Sequence, residues 1–279
     1  MTLSDQPKLA GVMGWPISHS LSPRLHGYWL REHRIAGSYV PLPVKPENLE
    51  HALRALPRLG FRGVNLTVPH KEKALQLLDN VSDIAKRIGA VNTVFVDESG
   101  ALFGTNTDAE GFLKNLRMNA KGWDQSQAAV ILAAGGASRA VVAALVDAGV
   151  PEIRLLNRTR SKAENLAASI PGPITVYDWS ERSDTLSGAG LLVNTTTLGM
   201  VKQSPLEISV QALPKTAVVN DLVYAPLETA LLADARALNL NAVDGLGMLL
   251  HQAVPGFAGW FDVQPTVTEA LRTFVLAPV

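Results

Sequence analysis

The sequence predicts an α/β protein made of two α/β domains, and three observations lead there. Short apolar runs alternate with stretches of helical period along most of the chain, the pattern of crossover units and a mostly parallel sheet. The alternation restarts near Asp108 after a hairpin-like stretch, so it forms two sets rather than one. With 279 residues, the chain has room for two domains of ordinary size.

Taken in order, residues 9–14, 39–44 and 61–68 read as strands, each an apolar run of strand length. Residues 25–33, 46–56 and 71–79 read as the helices that follow them. Residues 91–96 and 101–104 form a hairpin about a turn at Glu98 to Gly100. The second set opens with a helix at 108–118 and a polar connection at 119–127. Strands at 129–133, 153–156, 191–194 and 217–221 follow, with helices at 137–148, 162–169 and 229–238. The chain ends in helical stretches at 247–258 and 266–276, expected to pack back on the first domain.

Composition narrows the function classes. Hydrophobic residues make up 47% and charged residues 18%, a globular balance. Lys plus Arg equals Asp plus Glu at 25 each, so the basic footprint of a nucleic-acid or anionic-membrane binder is missing. An acidic substrate must then be held by local groups. There is no cysteine, which removes disulfides, thiolate metal sites and a thiol nucleophile. Residues 1–9 contain no apolar signal segment, and the apolar stretch 128–150 is broken by Gly135, Gly136, Arg139 and Asp147. A soluble, cytoplasmic protein is expected. His19, His26, His70 and His251 show no metal-binding spacing, so no metal is expected and the four read as bystanders or supporting groups.

In the second set, AVILAAGGASRAVVAALVDAG is a strand, a small-residue turn and a helix. Such a helix start offers unpaired N–H groups and a favourable dipole to a pyrophosphate. Ala134, Gly135, Gly136 and Ala137 would let backbone approach it, although a glycine turn can also serve packing alone. The following strand ends in Asn157, Arg158 and Thr159, with Lys162 one turn on. An acidic residue for a free ribose 2′-hydroxyl is absent there, whereas Arg158, Thr159 and Lys162 suit a 2′-phosphate. The cofactor expected is NADP; the bland alternative is a solvated basic helix start.

Five clusters elsewhere put short polar side chains at the ends of apolar runs: HSLSPRLH, NLTVPHK, GAVNT, GTNTD and DGLGMLLHQA. Open α/β sheets bind ligands at the carboxyl ends of their strands. Ser20, Ser22, Asn65, Thr67, Asn92 and Gln252 together supply partners for hydroxyls and a carboxylate. Any one of them can instead be a turn or helix cap, Ser22 before Pro23 above all. Lys71 and Asp108 are the charged members. Ketone reduction needs a proton at the developing alkoxide, and with no metal pattern a lysine is the natural donor, anchored by a carboxylate. An exposed lysine and an N-cap aspartate are the competing reading.

In their order and spacing, HSLSP, NLTVPHK, GAVNT, GTNTD, GGASR, NRT and DGLGML followed by Gln252 resemble the shikimate dehydrogenases, over essentially the whole chain. The resemblance implies reversible NADPH-dependent reduction of 3-dehydroshikimate to shikimate, on the route to aromatic amino acids. It implies that Ser20 and Ser22 bind the substrate carboxylate, with Tyr224 reaching it. Asn65, Thr67, Asn92 and Gln252 grip the ring hydroxyls, and Lys71 with Asp108 is the catalytic pair. Residues 133–137 and 157–162 contact the cofactor, Leu222 and Gly245 lie near the nicotinamide, and Asp83 matches a cofactor-proximal acid of some members. The implied plan is a substrate domain of residues 1–107 plus 246–279, a Rossmann-like domain of residues 108–245, and a cleft between them that closes over the ligands. The molecule would be a monomer or homodimer. The family has Gly where Ala133 stands, and an alanine is harmless there only at negative φ. Ala230 replaces a proline and Lys162 a common arginine.

Three other readings compete. A quinate/shikimate paralogue often prefers NAD with an acid after the second strand, and some quinate-preferring relatives have Thr for the second serine; this chain has Arg158 and Ser22. A catalytically silent NADP-binding regulator would be expected to lose Lys71 or Asp108. An NADP enzyme of folate metabolism would not need HSLSP.

Overall fold

The computed structural model describes residues 7–277, so most of the stretch 1–9, read above for a signal segment, lies outside the described residues. The chain divides into two compact units, one ending at Thr107 and resuming at Leu250, the other spanning Asp108–Leu249.

The first unit contains β1 (Lys8–Gly14), α1 (Ser22–Glu32), β2 (Gly37–Pro43), α2 (Leu49–Ala55), β3 (Phe61–Leu66), β4 (Asn80–Val81), α3 (Asp83–Ile88), β5 (Thr93–Val96) and β6 (Leu102–Thr105). They form a six-stranded sheet in the order β2-β1-β3-β5-β6-β4. β1 runs parallel to β2 and β3, while β5 is antiparallel to β3 and β6. β1 is apolar on both faces because both are covered: Ala10, Val12 and Met13 are all buried. Met13, Val64 and Leu66 face Leu49 and Leu53 of α2, spaced one helical turn apart. The opposite face carries Ala10, Tyr39 and Gly63 in register.

The stretch expected as a helix at 71–79 is only a short 3₁₀ turn, Lys73–Gln76. Asp79 ends it by exchanging two bonds with Leu102: its amide donates to the Leu102 carbonyl at 3.1 Å, and its carboxylate accepts the Leu102 amide at 2.8 Å. That pulls the chain onto β6 as β4 before a second turn can form. The segment after β4 is helix α3, capped by Ser82, whose Oγ accepts the Ala85 amide at 3.3 Å.

The second unit contains α4 (Asp108–Asn119), β7 (Ala128–Leu132), α5 (Gly136–Asp147), β8 (Ile153–Leu156), α6 (Arg160–Ser169), β9 (Ile174–Tyr177), β10 (Ala189–Asn194), β11 (Val218–Asp221), α7 (Ala230–Ala237) and β12 (Asn241–Val243). All six strands are parallel, in the order β12-β11-β10-β7-β8-β9. The strand order switches direction between β7 and β10, the position where doubly wound sheets open a ligand crevice. Four of these strands are legible in the sequence. The two edge strands, β9 and β12, are not: they are three or four residues long and only partly buried, so they leave no continuous apolar run.

α8 (Leu246–Phe261) starts in the second unit and continues into the first, and α9 (Glu269–Leu276) follows. Residues after 250 are fastened to the first sheet by Trp260 Nε1, which donates to the Val94 carbonyl at 3.0 Å. Lys8 Nζ adds bonds to Phe261 O at 3.1 Å and to Asp262 at 2.8 Å. A Cβ on Gly63 would meet the Val94 carbonyl oxygen at 2.0 Å and Trp260 Nε1 at 2.3 Å, so only glycine allows this seat.

Between α1, α8 and the sheet lies an aromatic cluster with His26 at its centre. Its ring stacks on Tyr39 at 3.9 Å and 6°, with Trp29, Phe257 and Trp260 each at 5.8 Å. Both ring nitrogens are buried without a hydrogen-bond partner among the described residues. Burial lowers its pKa from 6.5 to about 3, so the ring is neutral.

This neutral histidine makes the fold acid-sensitive. Between about pH 6.5 and 3 the unfolded chain protonates His26 and the folded chain does not, so stability falls with pH, by about 1.4 kcal/mol per unit. Asp221, raised to about 6 by burial, acts in the opposite sense: its folded form takes up a proton first and gains stability as pH falls through that value. The two are separated by difference. Denaturant unfolding of His26→Leu and the parent chain at pH 7.5 and 5 is expected to show the parent losing more stability on acidification. Parallel losses refute the assignment.

Candidate active site

The site in the first unit is assembled at the carboxyl ends of β1 and β3 and the start of β5. Ser20 precedes α1, and its Oγ accepts the Ser22 amide at 3.3 Å. Ser22, expected from its place before Pro23 to cap the helix, is instead the first helical residue, and the Ser20 hydroxyl meets its unbonded amide. The Ser22 hydroxyl lies against the Tyr39 phenol, opposing the upward pKa shift that burial imposes on that phenol.

Asn65 sits near the end of β3, 5% exposed. Its Nδ2 donates to the Asn92 carbonyl and to Thr93 Oγ1, both at 3.1 Å, and its Oδ1 accepts from the Tyr39 hydroxyl at 2.6 Å. Asn92, 1% exposed, joins the pieces. Its Nδ2 donates to Thr107 Oγ1 at 3.0 Å and Gln252 Oε1 at 3.2 Å. Its Oδ1 accepts from Thr93 Oγ1 and the Thr107 amide, both at 2.9 Å. Thr107 Oγ1 lies 2.8 Å from the Gln252 carbonyl. Four stretches of the chain therefore meet in one polar network, which brings Asn65, Asn92, Thr107 and Gln252 together.

Thr67 lies just past β3, tied by its amide to Met13 O at 2.9 Å. Lys71 lies beside the network, its carbonyl accepting the Val91 amide at 2.8 Å, one residue before Asn92. Asp108 directly follows Thr107 as the first residue of α4. Asp83 stands exposed at the start of α3, 3.6 Å from Lys86. His70 is engaged with the Val44 carbonyl at 2.8 Å, which leaves it a supporting role.

Tyr39, Thr93 and Thr107 are members of this network that residue-by-residue reading did not single out. Thr93 and Thr107 were within reach, since they belong to the GAVNT and GTNTD clusters. Tyr39 left no local signal, because it reads as an ordinary strand aromatic.

In the second unit the turn after β7 is tied by hydroxyls. Thr195 Oγ1 donates to Leu132 O at 2.7 Å and lies 2.6 Å from Ser138 Oγ, which accepts the Gly135 amide at 3.2 Å. A Cβ on Gly135 would project into open space, so this glycine is not demanded by protein packing and leaves the helix start accessible. No acidic residue occupies the first turn of α5 to compensate its dipole. These features fit a pyrophosphate at residues 134–137.

Beyond β8, Arg160 is committed to Glu164 at 2.9 Å and Asp178 at 2.8 Å. Arg158 and Lys162 are exposed and make no ion pair among the described residues. Thr159 caps α6 without using its hydroxyl, and Asn157 holds the turn by donating to Thr159 O at 2.8 Å. Two cations and a hydroxyl are thus available for a phosphate.

At the ends of β10 and β11, Asp221 accepts from Thr229 Oγ1 at 2.7 Å, Asn194 Nδ2 at 2.9 Å and the Val223 amide at 3.0 Å. It fixes the loop that carries Leu222 and the half-buried Tyr224, whose phenol is shifted up by desolvation. Gly245 packs on Leu222; a Cβ there would meet the Leu222 carbonyl oxygen at 2.2 Å.

Residues 12–94 match the family described as the shikimate dehydrogenase substrate binding domain, and residues 116–222 match shikimate / quinate 5-dehydrogenase. The chain belongs to the shikimate dehydrogenase family. A shikimate dehydrogenase (NADP(+)) of Paramagnetospirillum magneticum is 58% identical over 99% of this chain and 100% of its own length. Among solved structures, shikimate 5-dehydrogenase from Thermus thermophilus, in complex with NADP(H) and shikimate, is 39% identical. It covers 96% of this chain and 98% of its own, with a TM-score of 0.84. Quinate dehydrogenase from Corynebacterium glutamicum, in complex with NAD, is 33% identical over 96% of this chain and 99% of its own, with a TM-score of 0.89. Within this family's fold, no helix among the described residues is long and apolar enough to cross a membrane.

Ala133 departs from the expectation. Its φ is +99°, where a Cβ clashes with the backbone and glycine is favoured, yet its amide is held by Leu156 O at 2.7 Å. The strain is offset by the bonds that fix the turn. Ala133→Gly is expected to raise unfolding free energy by about 1 kcal/mol. Denaturant titration checks this, and a loss of stability refutes the strain.

Proposed function

We propose that the protein is an NADP-dependent shikimate dehydrogenase, an oxidoreductase that reversibly reduces 3-dehydroshikimate to shikimate in the cytoplasm, on the route to aromatic amino acids. The observation that carries the reading is the buried amide and hydroxyl network of Asn65, Asn92, Thr107 and Gln252, set beside Lys71. Such a set selects a polyhydroxylated ligand, because an analogue lacking a hydroxyl leaves buried polar groups unpaired. The substrate is a small molecule; no nucleic acid or membrane takes part, and the protein works as a monomer or homodimer.

The residues divide the work. Ser20, Ser22 and Tyr224 donate to the substrate carboxylate. Asn65, Thr67, Asn92 and Gln252 hold the ring hydroxyls. NADPH, when bound, supplies the hydride. Lys71 delivers the proton to the oxygen that becomes the 3-hydroxyl and takes it back in the reverse direction. Asp108 anchors the Lys71 ammonium and accepts from a neighbouring ring hydroxyl. Residues 133–137 cradle the pyrophosphate, while Asn157, Arg158, Thr159 and Lys162 hold the 2′-phosphate. Leu222 and Gly245 line the nicotinamide place, and Asp83 stands on the cofactor side. The substrate domain is residues 1–107 plus 246–279 and the cofactor domain is residues 108–245. Support for NADP over NAD comes from the uncommitted Arg158 and Lys162, where an NAD enzyme needs a carboxylate.

The test is NADPH formation from shikimate and NADP⁺, repeated with quinate and with NAD⁺. Turnover confined to shikimate with NADP⁺ supports the reading, and preference for quinate or NAD⁺ overturns it. Lys71→Ala is expected to lower kcat by about 10²- to 10⁴-fold with a smaller change in KM. A raised KM with intact kcat removes Lys71 from proton transfer. Arg158→Glu is expected to raise KM for NADPH far more than for NADH; an unchanged ratio refutes the phosphate contact.

A further inference from the structure

Tyr39 sits on β2, one strand removed from Asn65 on β3, yet its side chain ends at the Asn65 amide. β1 lies between β2 and β3, with Tyr39, Ala10 and Gly63 in register across the three strands. The small neighbours Ala10 and Gly63 let the phenol lie across β1 and reach Asn65, two residues beyond Gly63 on the same face. His26 closes one face of the ring by stacking at 3.9 Å. The phenol, 7% exposed, is held with its hydroxyl on Asn65 Oδ1 at 2.6 Å.

The directions of these bonds follow from chemistry. The Asn92 carbonyl only accepts, so the group of Asn65 facing it at 3.1 Å is the amide nitrogen. The other amide proton is directed to Thr93 Oγ1 at 3.1 Å, and Thr93 directs its own proton to Asn92 Oδ1 at 2.9 Å. Asn65 Oδ1 therefore faces Tyr39, and Tyr39 is the donor. Both amide protons of Asn65 and one lone pair of Oδ1 are engaged within the protein. Among the described residues nothing donates to the other lone pair.

We infer that Tyr39 is a positioning residue that locks the Asn65 amide as a hydrogen-bond acceptor toward the substrate, so that Asn65 reads a ring hydroxyl through its proton. This rests on the proposed contact between Asn65 and the substrate ring. An acceptor-only Asn65 cannot hold a ketone oxygen, so it is assigned to a hydroxyl that the reaction leaves unchanged, away from the reacting carbon. It also rejects a substituent of similar size that has no proton.

The experiment combines Tyr39→Phe with Asn65→Ala in a double-mutant cycle, using shikimate and its 4-fluoro and 5-fluoro deoxy analogues. Tyr39→Phe keeps the ring on His26 and removes one O–H. It is expected to raise KM for shikimate by about tenfold, with a smaller change in kcat and none in KM for NADP⁺. In the Asn65→Ala background the same change is expected to alter KM by less than about twofold, since no amide remains to be positioned. On the unsubstituted protein, one fluoro analogue is expected to bind at least about tenfold more weakly than shikimate, and that gap narrows in Asn65→Ala. An equal effect of Tyr39→Phe in both backgrounds makes Tyr39 structural only and overturns the inference, as does equal binding of both fluoro analogues and shikimate. If Asn65→Ala itself leaves KM for shikimate unchanged, the substrate contact fails first and the inference falls with it.

Discussion

Asn92 is the constraint on which the first unit's site depends. Its side-chain amide bonds both to the segment after β6, through Thr107, and to α8, through Gln252. Its backbone carbonyl also receives the Asn65 amide. At 1% exposure, each unmet partner would cost about 1–3 kcal/mol, so the network is satisfied as a whole or strained as a whole. This explains how a chain that leaves for the second unit after Thr107 and returns at Leu250 can build one precise surface. The tail does more than cover the sheet: Gln252 joins the polar network, and Trp260 anchors the tail through a seat that only Gly63 allows.

The second unit follows a different logic, local charge within a neutral molecule. Net charge is zero, so no long-range field draws an anion to it. Local positive potential is offered instead by the start of α5, where no acid offsets the dipole, and by the exposed Arg158 and Lys162. Neighbouring Arg160 shows the contrast: two carboxylates hold it, which removes it from ligand duty. Asp221 is the buried counterpart on the other side of the sheet's switch point. Three donors orient it, and through it the loop of Leu222 and Tyr224 takes a defined shape.

The aromatic layer links fold and site in the first unit. His26 satisfies neither ring nitrogen, a cost that a pure packing solution would avoid. What it provides is a flat face on Tyr39, and Tyr39 in turn sets the Asn65 amide. Ala133 shows the same acceptance of local strain, at φ +99° in the turn between β7 and α5.

The sequence by itself determined the two α/β sets, the central strands and the identity of most polar groups at the strand ends. Those features are local: an apolar run of strand length, a glycine turn before a helix, and an arginine in place of an acid can each be read from a few consecutive residues. Tertiary structure decided what depends on distant partners. The edge strands β9 and β12 exist because their more deeply buried neighbours β8 and β11 offer them hydrogen bonds, and their own sequence does not demand it. The helix expected at 71–79 gave way to a turn because Asp79 bonds to Leu102 on another strand. Ser20 rather than Ser22 meets the open amide of α1, since the geometry of the turn selects the acceptor. Tyr39 became part of the site only once the sheet placed Ala10 of β1 and Gly63 of β3 in register with it. Hydrogen bonds between residues far apart in the chain carry no periodicity, and only the folded backbone specifies them.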